Sequence, residues 1–306
     1  TRRESWMIAS DDYRCGMVAV IGRPNVGKST LINAVMGRKV SIVTAKPQTT
    51  RHRILAVHTG EKEQIVFVDT PGLHRKAGRA MNRLMNRTAA NALADADLIL
   101  FVSDATHWTE EDDDVLNRLT SSSTPVIALL NKVDKVHPKE ALLAVIQNLS
   151  LRADFAEIVP ISALKNDNLE TLMAMIPAYL PVSPPLFPED MHTDRSEAFH
   201  VAEIIREKLT LMLHQEMPYG LTVQVERLVR EESGIAISAV IWVERDSQKG
   251  IAVGKNGSVL KKVGRQARLE IAELLGARVH LELWVKVKSN WADSEKDLQN
   301  LGYEAP

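Results

Sequence analysis

Phosphate binding is the first chemistry legible in this chain. Gly22-Arg23-Pro24-Asn25-Val26-Gly27-Lys28-Ser29 fits the pattern GxxxxGK[ST] and stands between a short apolar run (17–21) and a segment patterned as a helix (28–36). Glycines let backbone N–H groups wrap a phosphate, and the N-terminal end of the next helix adds positive potential. In that frame Asn25, Val26, Gly27, Lys28, Ser29 and Thr30 are the phosphate-side candidates. Lys28 would reach the β- and γ-phosphates, and Ser29 would bind Mg2+.

Three further segments make the expected nucleotide a guanine nucleotide, GTP or GDP. Asp69-Thr70-Pro71-Gly72 closes a hydrophobic strand. A carboxylate there can hold Mg2+ through water, and Gly72 leaves room for an N–H to meet a γ-phosphate. Asn131-Lys132-Val133-Asp134 closes another strand, and a carboxylate at Asp134 can accept from both N1–H and the 2-amino group of guanine. Adenine lacks that pair of donors and would leave the carboxylate unsatisfied. Ser162-Ala163-Leu164 follows a third strand, where a backbone N–H can reach the guanine O6. All three lie at strand C-termini, the ligand edge of open α/β sheets. Gln48-Thr49-Thr50-Arg51 occupies the place of a mobile switch whose threonine hydroxyl closes onto Mg2+. Thr50 is the candidate and Thr49 the alternative. The metal set is therefore Ser29, Thr50 and Asp69. Lys28, Thr50 and Gly72 are the expected catalytic residues, and no general base is assigned.

A second kind of chemistry stands near the other end. Gly254-Lys255-Asn256-Gly257 fits GxxG and precedes a helical segment. Glycines on both sides let the backbone approach a phosphodiester chain. From Ser247 to Leu269 the chain carries Lys249, Lys255, Lys261, Lys262, Arg265 and Arg268 and no acid. Val253, Gly254, Lys255, Asn256, Gly257, Lys261, Lys262 and Arg265 are the RNA-side candidates. A basic run alone is commonly a solvated helix face; the GxxG and its context shift the balance.

The elements that must position these residues read as follows. Strand-like segments at 53–59, 64–69, 97–103, 125–131 and 157–161 alternate with helical ones at 80–94, 110–121, 138–150 and 167–178. Near-continuous apolar runs suit strands buried on both faces, so the expected fold is a doubly wound α/β sheet. Residues 180–188 (LPVSPPLFP) hold four prolines and can be neither helix nor central strand. Beyond them come a helix (195–214), two strands (221–231, 235–245), a Gly-containing turn, a helix (257–275) and a strand (278–288). The expected domains are 15–180, a Pro-rich linker at 181–194, and 195–306 with a C-terminal tail.

The chain has 306 residues, a formal net charge of −1 and 25% charged residues, so a basic surface must be local. The single cysteine, Cys15, excludes an intrachain disulfide and has no activating neighbours. The nine histidines show no zinc-ligand spacing. No apolar run approaches a membrane span, and residues 1–10 show no secretory h-region, so a cytoplasmic protein is expected. Glu110 to Asp114 read as helix-dipole partners behind a Thr109 cap rather than a metal site. Trp242 and Trp284 read as core residues of their strands, and His52 and His74 as solvent-facing loop histidines.

GRPNVGKST, KPQTTRHRI and DTPGLH resemble the Era family of translation-factor-related P-loop GTPases, and the αββ–turn–αβ order around the GxxG resembles a type II KH domain. The likeness continues through FPED, TDRSE, EIIREKL, LWVKVK and LGY, over about residues 15–303. The resemblance implies an α/β P-loop domain followed by an α+β KH domain. It implies GTP hydrolysis, binding near the 3′ end of 16S rRNA, a role in small ribosomal subunit assembly, and RNA binding favoured by GTP. It also implies loose peripheral membrane association, for which the residues themselves supply only basic helix faces. A monomer is expected. Leu73 stands where Ras-like GTPases carry a water-orienting glutamine, so intrinsic hydrolysis should be slow. In cation-dependent relatives the asparagine matching Asn25 helps bind K+. The rival readings are a switch whose second domain docks protein, and an ATPase, against which Asp134 argues.

Overall fold

The computed structural model describes residues 12–46, 48–72, 79–119, 122–213 and 220–303. It divides into two compact units. The first comprises Thr1–Val40, Arg53–Arg75 and Asn86–Asp194; the second comprises Ser41–His52, Lys76–Met85 and Arg195–Pro306.

The first unit is built on six strands: β1 (Arg14–Ile21), β2 (Ile54–Thr59), β3 (Glu63–Asp69), β4 (Leu98–Asp104), β5 (Val126–Asn131) and β6 (Glu157–Pro160). Their order is β2-β3-β1-β4-β5-β6, with β2 antiparallel to β3 and every other pairing parallel. The apolar runs have the expected cause. Six successive residues of β4, Leu98 to Ser103, are buried, which requires cover on both faces. Helices α1 (Lys28–Met36), α2 (Ala80–Ala94, of which the part from Asn86 onward belongs to this unit), α3 (Glu110–Leu119), α4 (Ala141–Ser150) and α5 (Leu169–Met175) alternate with the strands. Val115, Leu116 and Leu119 of α3 pack on Ile99, Phe101 and Ala128 of the sheet. The register sets Asp69 beside Val20 and Asn131 beside Asp104, so the polar residues that end β3 and β5 lie along one edge.

The proline-rich stretch is pinned to this unit. Leu186 and Phe187 donate their N–H groups to the Gln64 Oε1, at 2.8 and 2.9 Å, and Gln64 Nε2 donates to the Phe187 carbonyl. Prolines cannot supply such donors, so the two residues between prolines carry the attachment.

In the second unit α6 (Glu197–Met212), β7 (Leu221–Glu231), β8 (Gly234–Val243), α7 (Asp246–Val253), α8 (Ser258–Leu275), β9 (Val279–Val287) and α9 (Glu295–Asn300) follow in order. The strands form a β7-β8-β9 sheet, antiparallel then parallel. Val201, Ile205 and Leu209 of α6 and Val263, Ala267 and Ile271 of α8 pack on one face of it. The sequence reading expected a turn where α7 stands. That helix is eight residues long and contains Gly250, a weak local signal that packing of Ala252 into the core overrides.

Trp284 is a correction. It is 57% exposed, because successive β9 residues point to opposite faces. Leu281, Leu283 and Val285 take the core side, which sends Glu282, Trp284 and Lys286 outward. Trp242 is half-buried and packs against a cluster containing Trp291 and Tyr303. Among the described residues no helix is long and apolar enough to cross a membrane.

Candidate functional site

The phosphate loop joins β1 to α1 through backbone that favours glycine or asparagine. Asn25 has φ +64° and Gly27 has φ +107°. A Cβ on Gly27 would lie 2.3 Å from Asn131 Nδ2, and one on Gly22 would lie 2.3 Å from the Val102 carbonyl oxygen. Close approach therefore requires both glycines, and at Gly27 the left-handed backbone does so as well. Val26 is fully buried, Asn25 is exposed, and Thr30, in the first turn of α1, is half-buried.

Lys28 is buried, and its ammonium donates to the Gly22 carbonyl at 2.8 Å and the Arg23 carbonyl at 2.9 Å. Burial pushes its pKa down to about 8, against the opposing pull of the Asp69 carboxylate. Arg23 braces the loop from outside, donating to Asp112 at 2.8 Å and to the His107 carbonyl at 3.0 Å. Asp112 also accepts from the Thr109 N–H and hydroxyl, so this acid in the first turn of α3 closes the helix start and anchors the loop.

Ser29 donates its hydroxyl to Asp69 Oδ2 at 2.9 Å, and Asp69 is fully buried. This is an all-oxygen pair, a hydroxyl and a carboxylate, which suits a hard divalent cation such as Mg2+. Gly72 packs against Pro24: a Cβ there would come within 2.9 Å of the proline ring and 3.0 Å of its nitrogen. Among the described residues, Ser29, Asp69, Gly72 and Lys28 are thus gathered around one loop. Thr50 belongs to the second unit, where it is buried. Leu73 and His74 lie outside the described residues.

The base side is built from three strand ends. Asn131 is buried; it donates to the Val26 carbonyl at 2.7 Å and accepts from the Ala163 N–H at 3.0 Å. Its amide therefore ties the phosphate loop to the loop after β6, a bracing role that motif reading missed. Lys132, at φ +67°, donates to the Asn25 carbonyl at 2.7 Å and pairs with Asp104 at 2.7 Å. Burial raises the Asp104 pKa, but Lys132 and Thr106 outweigh it and hold the carboxyl below its usual range. Asp134 accepts from the Ser162 hydroxyl at 2.6 Å, which lowers its pKa and fixes one oxygen. Ser162 donates its N–H to the Asp167 carbonyl, and its hydroxyl orients Asp134. The Ser162 and Ala163 donors are both committed within the protein, and Leu164 is exposed at the rim.

The GxxG loop has the conformation its glycines predict. Gly254, Asn256 and Gly257 take φ values of +75°, +53° and +74°. A Cβ on Gly254 would lie 2.5 Å from Val259, whereas one on Gly257 would meet nothing nearer than 4.0 Å. Val253 ends α7 half-buried, Lys255 and Asn256 are exposed, and α8 begins at Ser258. Lys261, Lys262, Arg265 and Arg268 are exposed along α8 while Val263 and Ala267 face the core.

His52 lies in a loop, as expected, but is half-buried and does not face solvent alone. Its ring stacks on Tyr303 at 4.4 Å and meets Phe199 edge-on at 5.1 Å, all within the second unit. Burial pushes its pKa down to about 3; Glu203 opposes this and nearby arginines add to it, so the imidazole is neutral. Its partners are remote in sequence, so no local signal could have placed it. Cys15 is buried, and burial raises its thiol pKa.

Two outcomes follow from this geometry. Phosphate binding favours the charged Lys28, whose pKa in the protein is about 8. Below that pH the ammonium is charged with or without ligand. Above it, binding must take up a proton, so affinity falls as pH rises, by about tenfold between about pH 7 and about pH 9. GDP titrations across that range, in two buffers of different ionisation enthalpy, check both the slope and the proton uptake. Ser162→Ala removes the hydroxyl that orients Asp134. Guanine-nucleotide affinity should fall about fivefold to tenfold, the worth of one such bond. Competition binding against a labelled GDP measures it, with ATP expected to remain a non-competitor.

Comparison with known proteins agrees with this geometry. Residues 17–132 match the family described as 50S ribosome-binding GTPase, and residues 216–292 match the KH domain family. The chain is 49% identical over 290 residues to GTPase Era of Yersinia pestis (strain Pestoides F), covering 94% of this chain and 96% of that one. The same figures hold for GTPase Era of Yersinia pseudotuberculosis serotype O:1b (strain IP 31758). A crystal structure of Era in complex with MgGDPNP and nucleotides 1506–1542 of 16S ribosomal RNA superimposes with a TM-score of 0.92 at 40% identity, over 95% of this chain and 99% of that one. A variant of Aquifex aeolicus Era bound to GDP and AlF4− gives a TM-score of 0.91, also at 40% identity, with the same coverage. With a phosphate loop, a braced guanine side and a GxxG module in one chain, and relatives matched over nearly their whole length, the chain belongs to the Era family of GTPases.

Proposed function

We propose that this protein binds and hydrolyses GTP, and that its nucleotide state governs single-stranded RNA binding at the GxxG loop. The observation that carries the nucleotide half is the Asp134–Ser162 pair, a carboxylate held at 2.6 Å by a hydroxyl at the strand edge beside the phosphate loop. A fixed carboxylate accepts from two adjacent donors of guanine, and adenine offers no such pair. Asn131 and Lys132 hold the loops on either side in register. Asn25, Val26, Gly27 and Thr30 supply the loop's phosphate-facing backbone. Ser162, Ala163 and Leu164 form the wall on the base side. Ser29 and Asp69, with Thr50 from the switch segment, would hold Mg2+, which when bound screens the phosphate charges during transfer. Lys28 keeps its ammonium aimed into the loop, where it stabilises charge developing on the β- and γ-oxygens. Gly72 leaves room for an N–H to approach the γ-phosphate. K+ beside Asn25 is a further part of the proposal. Replacing KCl with NaCl at equal ionic strength should slow hydrolysis; equal rates would remove K+ from the reading.

The RNA half rests on the left-handed GxxG turn at the start of a basic helix. Val253, Gly254, Lys255, Asn256 and Gly257 shape the turn, and Lys261, Lys262 and Arg265 follow along α8 as phosphate partners. The Era complex with nucleotides 1506–1542 of 16S ribosomal RNA supports the same class of RNA here, and with it a place on the small ribosomal subunit. The basic face of α8 serves RNA in this reading, and a lipid surface is not part of it. A monomer is the acting form in this reading.

The experiment is anisotropy of a labelled single-stranded RNA of the 16S 3′ end, with protein loaded with GDP or a non-hydrolysable GTP analogue. Gly257→Asp is the informative variant: a Cβ there meets nothing nearer than 4.0 Å, aspartate tolerates the left-handed φ of +74° better than most side chains, and the carboxylate places a negative charge against the RNA backbone. Affinity should drop at least about tenfold in the variant, consistent with loss of one phosphate contact plus repulsion. Tighter binding with the analogue supports the switch. Equal binding in both nucleotide states would keep the RNA reader and remove its control.

A further inference from the structure

The switch segment 41–52 is fastened, within the second unit, to helix α6 with its C-terminal cap and to the start of β7. Four attachments are spaced along it. The Val43 N–H donates to Glu207 Oε1 at 3.0 Å. Lys46 donates to the Thr210 carbonyl at 2.6 Å and to the Leu213 carbonyl. Arg206 donates to the Thr49 carbonyl, and Arg51 donates to the Leu221 carbonyl at 2.7 Å. Lys46 therefore fills carbonyls at the C-terminal end of α6 that have no partner inside the helix, where a cation also complements the helix dipole.

Arg206 is the distinctive member. It is buried, and it meets both oxygens of buried Glu203 at 2.7 and 2.6 Å. Burial opposes charge on Glu203, but Arg206 outweighs it and keeps the carboxyl below its usual range, so the pair is ionic. With two donors fixed on Glu203, the guanidinium plane has one orientation, and it reaches Thr49. The Thr49 carbonyl and the Thr50 N–H share one rigid peptide plane. Holding that carbonyl fixes one of the two peptide planes that flank Thr50. The same helix leads on toward the RNA helix: Glu207 pairs with Lys208 at 2.9 Å, and Lys208 pairs with Glu270 of α8.

We propose that Arg206, held by Glu203, is a positioning residue for the GTP-dependent state: it orders the Thr49–Thr50 backbone of the switch segment before GTP binds. The inference rests on the GTPase reading above. A segment already ordered by the KH module loses less entropy when Thr50 is recruited, and only a ligand with a γ-phosphate recruits it. The clamp therefore tightens GTP but not GDP. By linkage, whatever RNA does to GTP affinity, GTP does equally to RNA affinity, and both pass through this segment.

The test uses the full chain in two variants. Glu203→Gln/Arg206→Met removes both charges together, so no lone buried ion remains, while keeping the side-chain stems. Lys46→Met removes the half-buried clamp at the end of α6 and leaves the ion pair untouched. Affinities are measured for GDP and a non-hydrolysable GTP analogue across a Mg2+ titration, and for the labelled 16S 3′-end RNA in both nucleotide states. Wild type should bind GDP and the analogue, with RNA binding enhanced by the analogue. Each variant should keep GDP affinity within about twofold, bind the analogue about tenfold more weakly, need more Mg2+ for half-saturation, and lose the RNA enhancement. Unchanged analogue-to-GDP ratios in both variants would overturn the proposal, as would tighter analogue binding, which would mean that the segment is held away from the metal. Failure of wild type to prefer guanine nucleotides would instead defeat the reading on which it rests.

Discussion

One buried amide joins the two halves of the nucleotide site. Asn131 takes the Val26 carbonyl with its nitrogen and the Ala163 N–H with its oxygen, so two loops from distant parts of the chain meet on one side chain. Both partners are buried, and neither has water as a substitute. A buried peptide group left without its partner is destabilising by about 1–3 kcal/mol, so the loops have little freedom to drift apart. Close packing enforces the same registry: Gly27 must lack a side chain because Asn131 Nδ2 occupies the space where a Cβ would sit. Lys132 adds a second tie between Asn25 and Asp104. The phosphate and base ends are therefore set relative to each other before any ligand contributes.

Much of that arrangement is legible in the sequence because it sits at strand ends. Asp69 and Asn131 close apolar runs, and a run buried on both faces places its last residue at the sheet edge wherever the strand lies. What cannot be read is which hydrogen bonds these residues make. Asn131 was legible as a guanine-side residue, but its bonds to Val26 and Ala163 depend on how strands pack. Ser162 was legible as a loop position, and its hydroxyl's hold on Asp134 was not. The misplacements share this cause. His52 lies in a polar stretch by local composition and is covered by Phe199 and Tyr303. Trp284 has apolar neighbours, yet in a strand those neighbours define the opposite face. Gly250 weakens the local helical signal of α7, which tertiary packing restores.

Helix α8 separates a core face from an exposed basic face. Val263, Ala267 and Ile271 recur every fourth residue and face the sheet, while Lys261, Lys262, Arg265 and Arg268 are exposed. The GxxG turn delivers the chain to the start of this helix, where unpaired N–H groups and the dipole favour an anion. Surface charge and fold stability are thereby assigned to different residues of the same helix. A charge can be changed on the outer face without opening the core.

The same division explains why α6 carries an ion pair where an apolar pair could pack. Hydrophobic residues at Glu203 and Arg206 would fill the space and often stabilise a fold as well or better. They could not hold the Thr49 carbonyl, which needs a donor. A buried donor with several fixed N–H groups is best supplied by a guanidinium, whose planar fork keeps its direction. A buried guanidinium in turn needs a counter-charge, and Glu203, one helical turn away, takes Nε and Nη2, the second of which also donates to the Thr49 carbonyl. The carboxylate is thus the condition for the arginine, and the arginine the condition for a defined peptide plane before Thr50. An apolar pair would satisfy the helix and leave the switch segment without its hold.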